Sequence, residues 1–213
     1  MDKVLGVFDR AYVINRDQDV DRMRLAEQRL AAVGIPFERF SAKQFTEPAN
    51  HRWLGTRGTN ASHLGAVESA KRENLSNVLI MEDDVIFRED FNDHWPRIAP
   101  ALGELGYDIF FGYNWWNTRG NARALRLRRL RETVCTHFWA IHSRFYDTFI
   151  ATALANEASK RPACIDGIFT SSIAVMYAPT YNLVGQDEGV SLVSEPVHKK
   201  VRWCADRYKQ SWL

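Results

Sequence analysis

Val78-Leu79-Ile80-Met81-Glu82-Asp83-Asp84-Val85 is a short apolar run with strand propensity that ends in three consecutive carboxylates. Adjacent anions at a strand end repel one another, and the relief is a bound divalent cation or neighbouring basic side chains. Oxygen ligands suit the hard ions Mg²⁺ and Mn²⁺, which neutralise a diphosphate. The plainer alternative is a solvated acidic turn that caps the next helix. Because Ile86 and Phe87 resume the apolar pattern, the carboxylates fall inside a folded segment, which favours a metal and nucleotide site over that alternative.

Working outward towards the N-terminus, Ala11–Asn15 is a strand, and Asp17–Val33 carries apolar residues at helical spacing until Gly34 and Pro36 stop it. Phe37–Phe40 is a second strand. Strand, helix, strand at this spacing opens an α/β sandwich with parallel strands, whose ligands sit at the carboxyl ends of those strands. Asn15, Arg16, Asp17 and Arg22 lie at the first such end. Arg22 is placed to pair either with a nucleotide phosphate or with Asp19 or Asp21.

Residues 42–60 turn polar and include Pro48, Gly55 and Gly58, which predicts a loop, with Ser62 and His63 opening a helix that runs to about Glu73. Ser62 there is a candidate N-cap. On the other side of the acidic stretch, Phe91–Leu105 is helical despite Pro96, and Tyr107–Gly112 is a buried strand. Trp115 and Trp116, flanked by Asn114 and Asn117, follow it as core plugs or as a stacking platform for a sugar ring, the asparagines favouring the platform.

Arg119, Arg123, Arg126, Arg128, Arg129 and Arg131 interleave with three leucines. As a helix this is a basic amphipathic segment, either a solvated face or a contact for an anionic acceptor or membrane surface. A second basic stretch begins at His198. Between them lie a strand at Val134–Ile141, a helix at Arg144–Asn156 and another helix from Cys164 and Asp166 to Met176. Tyr181–Val184 is a short strand that leads into a polar loop holding Gln186, Asp187 and Glu188.

With 213 residues, 46% of them hydrophobic, the chain can bury one sizeable core, so a single domain over 1–213 is expected, with a basic insert at about 117–132 and a basic tail at about 197–213. The net charge of +2 does not announce a nucleic-acid binder. No apolar run has signal-peptide or transmembrane length, so a cytoplasmic location is expected, with peripheral contact at the inner membrane face open to the basic stretches. Three widely spaced cysteines, Cys135, Cys164 and Cys204, fit neither a disulfide framework nor a zinc knuckle.

Together the pieces resemble glycosyltransferase family 25, the lipooligosaccharide-type transferases related to the collagen galactosyltransferases. The resemblance rests on Tyr12–Asn15 with Asp21-Arg22, on Gly55, Gly58, Ser62 and His63, on Leu79–Val85, on Asp108–Gly112 and on Pro179–Ser191. Thr59 stands where the family usually has cysteine, Arg16 where it has leucine, and the arginine-rich insert has no family counterpart. The resemblance implies a GT-A-like, Rossmann-type α/β sandwich with a central, mostly parallel sheet. It implies an inverting, divalent-cation-dependent transfer of a hexose, galactose favoured, from a nucleotide-diphosphate sugar such as a UDP-hexose to a saccharide such as an LPS core. Carried over, Glu82-Asp83-Asp84 is the DxD-type site, with Asp84 and Glu82 as metal ligands and Mn²⁺ or Mg²⁺ as the ion. Asn15, Arg22, Ser62, His63, Glu82, Asp83 and Gln186 bind the donor, and Trp115 and Trp116 bind the acceptor. The base is Asp166, with Asp187 and Glu188 as rivals; Asp166 also suits a plain helix start. A modified base in nucleic acid as the acceptor, or a non-catalytic carbohydrate-binding protein of the same fold, are the alternatives.

Overall fold

The computed structural model describes residues 3–46, 51–114, 125–134, 136–159, 162–170 and 173–187. The expectations for Trp115, Trp116, Glu188, Cys135, Cys204, the first part of the arginine-rich segment and the basic tail fall outside the described residues.

Among the described residues nine strands and five α-helices run in the order β1 (Arg10–Asn15), α1 (Val20–Ala32), β2 (Glu38–Ser41), α2 (His51–Arg72), β3 (Asn77–Glu82), β4 (Val85–Phe87), α3 (Phe91–Glu104), β5 (Ile109–Phe111), β6 (Leu127–Leu130), β7 (Phe138–His142), α4 (Tyr146–Glu157), α5 (Ile165–Thr170), β8 (Met176–Pro179) and β9 (Val184–Gln186). Seven strands form one sheet in the order β2-β1-β3-β7-β5-β8-β6. Five of them share one direction, and β7 and β6 run against it. A two-stranded antiparallel sheet, β4 with β9, lies beside the carboxyl end of β3.

Side chains alternate across a strand, and β3 shows what that does here. Leu79 and Met81 point into one core with Met23, Ala26 and Leu30 of α1 and Phe91, Trp95 and Ile98 of α3. Val78 and Ile80 point into the other, with Ala66, Val67 and Ala70 of α2, Phe149 of α4 and Phe169 of α5. The result is a mixed α/β sandwich around a mostly parallel sheet, the expected fold class. α1 and α2 pack on opposite faces of the sheet, and in open α/β sheets such a change of face places the ligand crevice at the carboxyl ends of the strands, here where Ile14 lies beside Glu82.

Four sequence expectations are corrected. Residues 51–60 are the first turns of α2, not a loop. Gly58 explains the polar, glycine-bearing composition, since a Cβ there would sit 2.9 Å from the Lys43 carbonyl. Ser62 therefore lies in mid-helix and caps nothing: its hydroxyl donates to the Gly58 carbonyl at 2.6 Å and accepts from the Lys43 N–H at 2.8 Å. The helix that starts near Asp166 ends at Thr170, and Met176 begins an inner strand in place of helix. Arg128 and Arg129 lie on β6, a sheet edge rather than a helix, because Leu127 and Leu130 pack on opposite faces of the sheet as a strand's period of two requires.

Candidate active site

Parallel pairing sets Ile14 beside Glu82, so the chain leaves β1 at Asn15 next to the turn Asp83-Asp84 that ends β3. Antiparallel pairing of β3 with β7 brings Thr136 and His137 to the same end, where the Glu82 N–H donates to the His137 carbonyl at 3.1 Å. β9 closes the other side: Gln186 pairs with Val85, and the Asp187 N–H donates to the Asp84 carbonyl at 2.8 Å. Four strand ends and α1 therefore meet around three carboxylates, each of which is met differently.

Glu82 is held by neutral donors. The Thr136 hydroxyl donates to its Oε1 at 2.6 Å, and His63 Nε2 lies 3.2 Å from the same oxygen. The Trp139 indole N–H donates to His63 Nδ1 at 3.0 Å, so Nδ1 must carry the lone pair and Nε2 the proton. Burial works to raise the Glu82 carboxyl, and these hydrogen bonds outweigh it and hold the group below the usual range.

Asp83 is clamped. Asn15 Nδ2 donates to Oδ2 at 2.7 Å and Arg22 Nε to Oδ1 at 2.9 Å. Asn15 is itself fixed by Arg39 Nε at 3.0 Å and by the Asp19 carbonyl at 3.1 Å. Arg22 pairs with neither Asp19 nor Asp21, which are taken by Arg16 and Arg24. It reaches both Asp83 and Asp84, lying 3.2 Å from Asp84 Oδ2. Burial opposes the Arg22 charge, and the two carboxylates more than offset it, raising its pKa.

Asp84 is the exception. Gln186 Nε2 donates to Oδ2 at 3.0 Å, while Oδ1 is buried with no hydrogen-bond partner among the described residues. Burial first, then the charge of Glu82, pushes this carboxyl up to about 7 against the pull of Arg22 and Gln186.

Of the residues expected in the site, Asn15, Arg22, His63, Glu82, Asp83, Asp84, Gln186 and Asp187 come together here. The Asp187 carboxylate is 40% exposed and pairs with Arg29 of α1. Ser62 shares α2 with His63, but its hydroxyl is committed to backbone partners on another face of the helix. Asp166 sits in the first turn of α5, accepting from the Gly167 N–H at 3.1 Å, where α5 leans on α2 through Asn60 and the Ala163 carbonyl. Thr136, His137, Trp139 and Arg29 were not foreseen as site residues, because only the pairing of β7 with β3 and the packing of α1 against β4, the partner of β9, bring them in. His137 is fully buried with neither ring nitrogen bonded among the described residues, and burial lowers its pKa to about 4 against the pull of Glu82. Among the described residues no three His, Cys, Asp or Glu side chains form a metal cage.

Residues 8–137, more than half of the chain, match glycosyltransferase family 25 (LPS biosynthesis protein). No curated protein matches the sequence. Among solved structures, a glycosyltransferase involved in the glycosylation of the major capsid of PBCV-1 is similar at 10% identity and a TM-score of 0.42. The similarity covers 70% of this chain and 66% of that one, just under two thirds of its length.

Proposed function

The chain belongs to glycosyltransferase family 25 and is a glycosyltransferase, and from that premise we propose that it moves a hexose, galactose favoured, from a nucleotide-diphosphate sugar such as a UDP-hexose to a saccharide acceptor such as an LPS core, with inversion and with Mn²⁺ or Mg²⁺ bound at Asp84. The observation that carries the cation is the buried, unpartnered Oδ1 of Asp84. An anionic oxygen without a donor in a buried site fits a hard cation. The lack of a cage among the described residues fits as well, since Mg²⁺ commonly takes one or two carboxylates and completes its shell with substrate phosphates and water. Bound there, the ion would neutralise charge developing on the diphosphate.

The protein's own groups divide the remaining work. Asn15 and Arg22 hold Asp83, and with it the turn that carries Asp84. Arg22, already beside Asp84, offers its remaining guanidinium N–H groups to the diphosphate. His63, fixed by Trp139, and Thr136 keep Glu82 ionised and oriented. In the transfer, the acceptor oxygen bonds to the anomeric carbon, the bond from that carbon to the diphosphate oxygen breaks, and a carboxylate takes the hydroxyl proton. Among the bases weighed, Asp187 is supported by its place next to Asp84 and its partly exposed carboxylate, and Asp166 is the rival on α5.

A thermal-shift panel of UDP-, GDP-, ADP- and CMP-sugars, each with and without Mn²⁺, tests the reading, because a ligand that binds only the folded state raises its stability. A shift with one nucleotide class that requires Mn²⁺ is the expected result. A full shift without metal would remove the cation from the proposal while leaving the transferase in place.

A further inference from the structure

The described part of the arginine-rich segment stands apart from the charge elsewhere in the molecule. Arg10, Arg16, Arg22, Arg29, Arg39, Arg57, Arg88 and Arg144 each pair with a carboxylate from another part of the chain or from the adjoining turn. Arg126, Arg128, Arg129 and Arg131 are exposed and form no ion pair or side-chain hydrogen bond among the described residues, and Glu132 is the only carboxylate in residues 125–134. Arg128 and Arg129 lie on β6 and Arg126 and Arg131 flank it; β6 is the last strand of the sheet, and its outer edge faces no other strand among the described residues. Charged side chains on an edge strand discourage pairing with another sheet, and Arg126 and Arg131 extend the charge past both ends of the strand.

The pairing of β6 shows what these side chains can grip. Arg128 lies opposite Ala178, whose side chain enters the core under α2 and α5, and Arg129 lies opposite Tyr177, which packs towards α1 and α3. Successive arginines therefore project to opposite faces of the sheet. A discrete phosphate is held by guanidinium groups that converge on it, whereas side chains splayed about an edge suit an extended anionic plane met edge-on. Arg126 is bonded to Thr180 just beyond the end of β8, which runs in the same direction as β3, so the edge begins at the level of the candidate active site. Four strand spacings, about 19 Å, separate β6 from β3. Ile173, 91% exposed, precedes β8 and adds an apolar side chain beside the other end of the edge.

We propose that the β6 edge, through Arg126, Arg128, Arg129 and Arg131, docks this protein on an anionic lipid bilayer. The proposal rests on the transferase reading only for its purpose, which is to hold the crevice within reach of a membrane-borne acceptor. The test is co-sedimentation of the full chain with vesicles of phosphatidylcholine alone and of phosphatidylcholine mixed with phosphatidylglycerol. The wild type should bind the anionic vesicles alone and lose binding at high salt. Arg128→Gln/Arg129→Gln should weaken binding roughly 25-fold, at about fivefold for each arginine near the surface, with the sugar-nucleotide thermal shift intact. A Lys199→Gln/Lys200→Gln variant controls for the C-terminal basic stretch. Failure of the wild type to bind anionic vesicles, undiminished binding by the β6 variant, or tight binding to duplex DNA without vesicle binding would each overturn the proposal. None of these outcomes bears on the donor shift, so the transferase reading stands or falls separately.

Discussion

The acidic turn after β3 and the arginine edge of β6 both crowd like charges into a few residues, and the molecule treats them in opposite ways. At the turn each carboxylate is largely buried and is met by named donors: His63 and Thr136 for Glu82, Asn15 and Arg22 for Asp83, Gln186 for Asp84. At the edge four cations stand in solvent and pair with no carboxylate among the described residues. Burial explains the difference, because an unpaired charge in the interior costs several kcal/mol, about ten times what a surface ion pair returns. A buried cluster must therefore complete its own pairing, and the buried oxygen it leaves open among the described residues, Asp84 Oδ1, is where the proposed cation would bind. An exposed cluster carries no such obligation, so its charge speaks to partners and hardly at all to the fold.

Asp84→Asn should break the comparison most sharply. Activity should fall about 10²–10³-fold, the scale for losing a preorganised electrostatic group at the reacting centre, and the Mn²⁺-dependent donor shift should disappear. Stability should move the other way. A carboxyl raised from the ordinary 3.8 to about 7 binds more protons folded than unfolded across that interval, so its contribution to stability falls as pH rises from about 4 to 7. The metal-free variant should then be at least as stable as the wild type at pH 8. A variant that has lost both activity and stability at pH 8 would make Asp84 a structural residue.

His137 supplies the pH dependence on the acid side. Its imidazole stays neutral in the folded protein down to about 4, whereas an unfolded histidine takes up a proton near 6.5. Stability attributable to His137 is thus complete above pH 6.5 and is lost as pH falls towards 4, by about 3 kcal/mol in all. Urea titrations over this range on wild type and His137→Phe should show a shallower decline for the variant, and parallel curves would remove His137 as a cause.

Asp83→Ala should cost less, about 2 kcal/mol. It strands Asn15 and Arg22, but the Arg22 side chain is 36% exposed and water takes up part of its charge. Adding Arg22→Ala should recover part of the loss. A double variant as unstable as the sum of the two single ones would show that the clamp holds no coupling energy.

Legibility in the sequence follows the same division between local and distant causes. The buried runs Tyr12–Ile14, Val78–Met81 and Ile109–Phe111 announce their strands because both faces of each are covered, and Asn15 and Arg22 follow from their place at the end of the first. The first turns of α2 were hidden because Gly58 is suited to a close approach of Lys43 from β2's side, a tertiary fact that reads locally as loop composition. β8 was missed, its first residue Met176 being read as the end of a helix, since its strand character comes from its neighbours β5 and β6. At the site, the acidic triplet was visible, while Thr136, His137 and Trp139 depend on β7 entering antiparallel between β3 and β5. No local pattern encodes that insertion.

The smallest expected effect is the one that sharpens the contrast. Arg128→Gln/Arg129→Gln removes two charges from a four-residue strand, and the change in unfolding free energy should stay within about 0.5 kcal/mol, as for surface substitutions that touch no special feature. Three observations lead there: the arginines pair with no carboxylate among the described residues, Leu127 and Leu130 still anchor the strand to the two cores, and its backbone ladder to β8 does not involve the side chains. Relief of mutual repulsion between neighbouring cations should even tip the sign towards stabilisation at low salt, and the gain should vanish as salt rises. Urea titration of both proteins at two salt concentrations decides it. A loss of more than 1 kcal/mol would mean that these side chains do hold the edge in place, and the charge of β6 would then belong to the fold, as the charge of the acidic turn does.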